Sequence, residues 1–168
     1  MIISKSKLIL DKTIPIQKDF LFDKKEFAFK TPLLDIKKCF GNVEITKYRN
    51  FIRLNADLDV VALLTCSYSL EPFDYELKIH EEVLLGEKFD DEVEAVVIPG
   101  DDIELEKILF AIISSNLPLK PIKPGASLPK SGEGYRVIDD AQLAKDRTLS
   151  GDSRFAKLDE IDFENEGV

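Results

Sequence analysis

The stretch Ile52-Arg53-Leu54-Asn55-Ala56-Asp57-Leu58-Asp59-Val60 alternates apolar and polar residues at every step. A second stretch, Phe73-Asp74-Tyr75-Glu76-Leu77-Lys78-Ile79-His80, does the same. A strand turns successive side chains to opposite faces, so this period of two predicts two strands, each with a dry face and a charged face. Between them Cys66-Ser67-Tyr68-Ser69-Leu70-Glu71-Pro72 breaks the pattern with turn-favouring Ser and Pro. The 51–85 stretch therefore reads as a long antiparallel hairpin with one face in water and one face to be covered.

The cover is legible further along. After Pro99-Gly100 the period changes to that of a helix, with Leu105, Ile108, Leu109, Ile112 and Ile113 forming one apolar stripe. The spacing predicts a helix over 103–116, stopped by Pro118, with Asp101 and Glu104 as a capping box. Ahead of the hairpin, Thr13 to Phe22 reads as a strand, Asp23 to Glu26 as a turn, and Leu33 to Phe40 as a short helix after Pro32. Val43 and Ile45 begin another strand. Residues 1–12 fit a short strand or an amphipathic turn. Val93 to Ile98 reads as a short strand, Tyr135 to Ile138 as another, Asp139 to Asp146 as partly helical, and Arg154 to Phe163 as a short helix. The expected fold is α+β: a curved antiparallel β-sheet, open or partly closed into a barrel, around the hairpin and under one main helix. A loop-rich C-terminal extension follows. A chain of 168 residues fits one domain over 1–168. Its Pro/Gly-rich loop spans 117–135, and a mobile tail is expected over 162–168.

Charge is unevenly placed. The net charge is −9, yet residues 1–56 hold 12 Lys/Arg against 6 Asp/Glu. Residues 81–106 hold eleven acids against Lys88 alone. The basic third leaves RNA contact open, through Lys24, Lys25, Lys37 and Lys38 with Arg49 and Arg53, and through the loop residues Lys120, Lys123, Lys130, Tyr135 and Arg136. The acidic stretch, with Glu87, Asp90, Asp91, Glu92, Asp101 and Asp102, would repel phosphate and face a basic protein. No apolar run approaches the ~18 residues that cross a bilayer, so no membrane partner is expected. The first ten residues make a poor signal peptide, and Cys39 and Cys66 read as reduced cytoplasmic thiols.

Catalytic chemistry finds little footing. No phosphate loop or dinucleotide fingerprint is present. His80 lies on a polar strand face, with Glu81 turned to the other side. Cys39 sits in apolar surroundings, and no cation neighbours Cys66 in sequence to activate it. Two cysteines and one histidine fall short of a zinc site. The expectation is a protein that is not an enzyme and carries no cofactor or metal.

The order of features resembles the YceD family, the large ribosomal RNA subunit accumulation proteins, in its YlbN-like branch. Three blocks carry the likeness. One is Leu64-Thr65-Cys66-Ser67-Tyr68-Ser69-Leu70-Glu71-Pro72 with the strand after it. Another is the acidic segment and helix ending in Leu117-Pro118-Leu119-Lys120-Pro121-Ile122. The last is Ser131-Gly132-Glu133-Gly134-Tyr135-Arg136-Val137 with Asp152-Ser153-Arg154-Phe155-Ala156-Lys157-Leu158. Ser69 stands where many relatives carry a second cysteine, and Tyr68 where the branch often has Arg. What the resemblance implies is a non-enzymatic role in synthesis, processing or stability of the large-subunit (23S) ribosomal RNA. The implied partner is that RNA or a pre-ribosomal particle, with no DNA expected. An acidic adaptor or chaperone for a basic ribosomal protein is the rival reading, and a small hydrolase or metal enzyme ranks last.

Overall fold

A computed structural model describes residues 1–86 and 96–150. The chain divides into two compact units, Met1–Pro124 and Gly125–Val168.

The first unit is built on a five-stranded sheet of order β2-β3-β4-β5-β6. Its strands are β2 (Thr13–Asp19), β3 (Leu33–Lys47), β4 (Ile52–Thr65), β5 (Pro72–Gly86) and β6 (Val96–Val97). All neighbours are antiparallel except β5 and β6. β4 and β5 are the expected hairpin, paired without a break from Ile52↔Leu85 to Thr65↔Pro72. The even residues Ile52 to Leu64 are all buried, while Asp57 and Asp59 face water. The sheet is open and does not close into a barrel. Its edges are β2 and the two-residue β6, and no strand joins them among the described residues.

The helix expected over Leu33 to Phe40 is strand instead, and the error has a clear cause. β3 is irregular against β4 at two places, between Leu33 and Asp35 and between Ile36 and Lys38. Each bulge sets an extra residue of β3 against β4. The inward side chains Leu33, Ile36 and Cys39 are therefore three apart in sequence yet two apart in register, opposite Leu64, Ala62 and Val60. A strand with two bulges imitates helical spacing.

Helix α1 (Leu105–Ser115) covers the dry face. It buries Leu105, Leu109, Ile112 and Ile113, four of the five residues of the stripe read from sequence, and leaves Ile108 half-buried. Lys18 on β2 reaches Glu106 at 3.4 Å, and Asn116 donates to Glu81 on β5 at 3.2 Å, so the helix crosses from one side of the sheet to the other. Phe110, on its far side, packs on Phe22, Phe27 and Phe29 with ring centroids 5.8, 5.0 and 5.2 Å away. Gly41 leaves room for the Phe20 ring, for a Cβ there would sit 2.6 Å from that ring and 2.9 Å from Leu58.

The helix starts later than expected and without the capping box. Asp102–Glu104 form a strand, β7, that pairs with β1 (Ile2–Ser4). The Asp101 carboxylate accepts hydrogen bonds from the Ser4 and Ser6 hydroxyls at 2.8 and 2.7 Å and from the Ser6 N–H at 2.8 Å. It clamps the N-terminal segment rather than the helix, and Glu104 makes no side-chain cap. A 3-10 turn over Lys5–Lys7 continues this N-terminal strap. Leu10 then bridges to Lys47 beside the sheet.

The second unit carries helix α2 (Asp140–Ser150), whose start is capped by Asp139 Oδ1 accepting from the Gln142 N–H at 2.6 Å. The strand expected over Tyr135 to Ile138 is reduced to one bridge between Gly132 and Tyr135. The expected helix over Arg154 to Phe163 and the tail 162–168 lie outside the described residues. No helix among the described residues is long and apolar enough to cross a membrane.

Candidate nucleic-acid interface

The basic residues singled out from sequence fall at two ends of the first unit and in the second. At one end the β4–β5 turn closes over Cys66, where the Leu70 N–H donates to the Cys66 carbonyl at 3.0 Å. Leu70 itself adopts a left-handed φ of 60°. The chain after α1 returns to this turn. Pro121 is buried against it, and its carbonyl accepts from the Ser67 N–H at 2.8 Å. Lys123 contributes both an N–H to the Cys66 sulfur at 3.4 Å and an ammonium 3.1 Å from Glu71. The stretch expected as one long loop is thus two things. Residues 117–124 are pinned to the hairpin, and 125–135 belong to the second unit.

This packing changes the chemistry of Cys66. The Ser69 hydroxyl, the Lys123 N–H and the Tyr68 N–H donate to the sulfur and draw the thiol down to about 7, against the burial that would raise it. No cation neighbours Cys66 in sequence, so an ordinary thiol is the expectation from sequence. The lowering comes from hydrogen bonds instead, at a sulfur that is fully buried. Cys39 behaves as the core residue expected, and desolvation, aided by Asp19, pushes it up to about 12.

Three of the cations at this end are paired with carboxylates. Lys24 pairs with Asp35 at 3.0 Å, Lys37 with Asp74 at 2.5 Å, and Lys123 with Glu71 at 3.1 Å. Lys38 lies beside Asp59, Glu76 and Lys78 on the charged face, and Lys25 and Lys120 are exposed. That face carries a ladder of opposite charges across β4 and β5, including Lys78–Asp59 at 3.5 Å and a short Asp57–His80 contact. Register explains the last pair. His80 stands directly opposite Asp57, and the hydrogen bond to that carboxylate raises the imidazole pKa.

Arg49 and Arg53 are at the other end. Lys38 is opposite Val61 and Arg53 opposite Thr46, eight residues apart along β4, which is about 27 Å of strand. The expected N-terminal basic group is therefore not one patch. Arg53 lies over the Tyr48 ring at 5.1 Å and donates to its hydroxyl at 2.6 Å, with Glu82 4.0 Å away. Tyr48 packs on Phe51, the rings tilted by 32° with centroids 4.9 Å apart. Arg49, at the tip of this turn, is exposed.

The strap joins this end, a feature the sequence concealed. The Lys47 ammonium donates to the Lys5 carbonyl at 2.8 Å, and the Asp11 N–H to the Lys47 carbonyl at 2.9 Å. Lys7 and Lys12 are exposed on the strap so held. No signal within residues 1–12 could have found them, because the contacts that place them are non-local.

In the second unit Arg136 pairs with Asp146 at 3.6 Å, Lys130 is exposed, and the exposed Tyr135 ring lies over Gly132. Of the acidic candidates, Asp101 is committed to Ser4 and Ser6, whose hydrogen bonds hold its carboxyl below the usual range. Asp102 is exposed on β7, and Glu87, Asp90, Asp91 and Glu92 lie outside the described residues. No cluster of three or more His, Cys, Asp or Glu among the described residues could hold a metal ion.

The model of the family described as large ribosomal RNA subunit accumulation protein YceD matches residues 54–162. No curated protein and no solved structure matches the chain.

Proposed function

The chain belongs to the YceD family of large ribosomal RNA subunit accumulation proteins, and from that membership we propose that it is a factor in the synthesis, processing or stability of 23S ribosomal RNA. It acts in the cytoplasm without catalysis of its own, on large-subunit RNA or a pre-ribosomal particle. The observation that carries this reading is the family match over residues 54–162, which takes in β4, β5, α1 and the segment pinned at Cys66. The mixed charge of the first unit is compatible with it, since cations stand on exposed turns and strap while acids pair with many of the rest. The adaptor reading has weaker support, because Asp101 is held by the strap rather than displayed. Deleting the gene should lower 23S relative to 16S ribosomal RNA, and the wild-type chain supplied in trans should restore it. An unchanged ratio in the deletion strain would refute the proposal.

A further inference from the structure

We infer that the end of the first unit formed by the strap and the β3–β4 turn binds the phosphate backbone of single-stranded RNA, with Lys7, Lys12 and Arg49 on phosphates and the Tyr48–Phe51 pair offering a face to a base. The inference rests on the ribosomal-RNA reading above and gives it a surface.

Three observations converge on this end. The side chains of Lys7, Lys12 and Arg49 are exposed and make no ion pair or hydrogen bond with any described residue, whereas Lys24, Lys37 and Lys123 at the opposite end each hold a carboxylate. A phosphate approaching Lys7, Lys12 or Arg49 displaces counterions only, while at Lys24, Lys37 or Lys123 it must also compete with a protein carboxylate. The cations are mounted on fixed backbone. The Lys5 ammonium is buried and donates to the carbonyls of Ile98 and Gly100 at 2.7 and 2.6 Å, and Lys47 ties the Lys5 carbonyl to β3. Little ordering is left to do on binding. Beside them stands a half-buried aromatic pair, its rings tilted by 32° with centroids 4.9 Å apart, flanked by the Arg53 guanidinium. Cations interleaved with aromatic faces suit a single strand, whose bases are free to stack. Asp11, Glu82 and Asp101, the last held by Ser4 and Ser6 on the strap itself, are nearby carboxylates and moderate the attraction.

The test is fluorescence anisotropy of the full chain with a short labelled oligouridylate, over a range of salt. Replacing Lys7, Lys12 and Arg49 together by Gln should weaken binding at least about tenfold at low salt and reduce the log–log salt slope by about 2. A matched triple of paired cations, Lys24→Gln with Lys37→Gln and Lys123→Gln, should change both far less. Phe51→Leu should weaken binding with the slope unchanged. Should the first triple fail to fold, by circular dichroism, Arg49→Gln alone carries the test with a slope change of about 0.7. Equal losses in the two triples, no loss in the first, or no binding by the wild-type chain would each overturn the site. So would salt-sensitive capture of an acidic protein through these residues without oligonucleotide binding. Complementation separates the two levels of inference. If the first triple restores 23S ribosomal RNA as the wild type does, the site is wrong and the family reading stands. If the wild type itself restores nothing, the reading fails first.

Discussion

Lys5 shows how much a single residue can depend on distant chain. Its side chain enters a site only 6% exposed and is satisfied by two carbonyls 93 and 95 residues away. Lys5→Met keeps the stem but removes both charge-assisted bonds and strands two acceptors. The expected cost is about 2–4 kcal/mol, read as a lower urea midpoint at unchanged slope. His80 makes a pH prediction. Folding raises its pKa above 6.5 through Asp57, so the pair stabilises fully below the unfolded value. That contribution is lost as the pH rises through the higher folded value. His80→Gln should flatten the dependence of the melting temperature on pH across this window, and a nuclear magnetic resonance titration of wild-type His80 should give a midpoint above 6.5. Neither role was legible beforehand. His80 was visible as an exposed strand residue, but its partner became visible only with the register, and Lys5 belonged to a segment without periodicity.

At the level of elements, pattern and outcome agree where one face is wet and one dry. The β4–β5 hairpin and the α1 stripe were readable because burial imposes the strand and helix periods directly on the sequence. Leu109 is fully buried on α1. Leu109→Ala should therefore cost about 2–5 kcal/mol, and Leu109→Asp should abolish cooperative unfolding. A melting curve unchanged by either would show that α1 is not the cover of the sheet. β3 was misread because its bulges replace a period of two by one of three. The segment 117–124 was misread because its prolines suggested a free loop, when Pro121 is in fact buried at the hairpin turn. Cys66→Ala removes the sulfur that accepts from the Lys123 and Tyr68 N–H groups. Hydrogen exchange at those two amides should accelerate while the amides of β4 keep their protection. Equal acceleration across the sheet would mean that Cys66 supports the core as a whole.

At the level of the molecule, all the strands among the described residues and α1 lie within Met1–Pro124. A fragment of residues 1–124 should fold by itself and unfold in a single transition, checked by circular dichroism during urea titration. A broad, non-cooperative transition would show that the remaining residues supply part of the core. The sequence alone determined the fold class, the central hairpin, its helical cover and the likeness to the YceD family, because each is written in local periodicity or in short ordered motifs. Only the tertiary structure decided which charges are neighbours. It separated Lys24, Lys37 and Lys38 from Arg49 and Arg53 along the sheet, paired several of them with acids, and tied the strap that carries Lys7 and Lys12 to Lys47. Charge patches are made by contacts between residues far apart in the chain, and such contacts leave no period in the sequence to read.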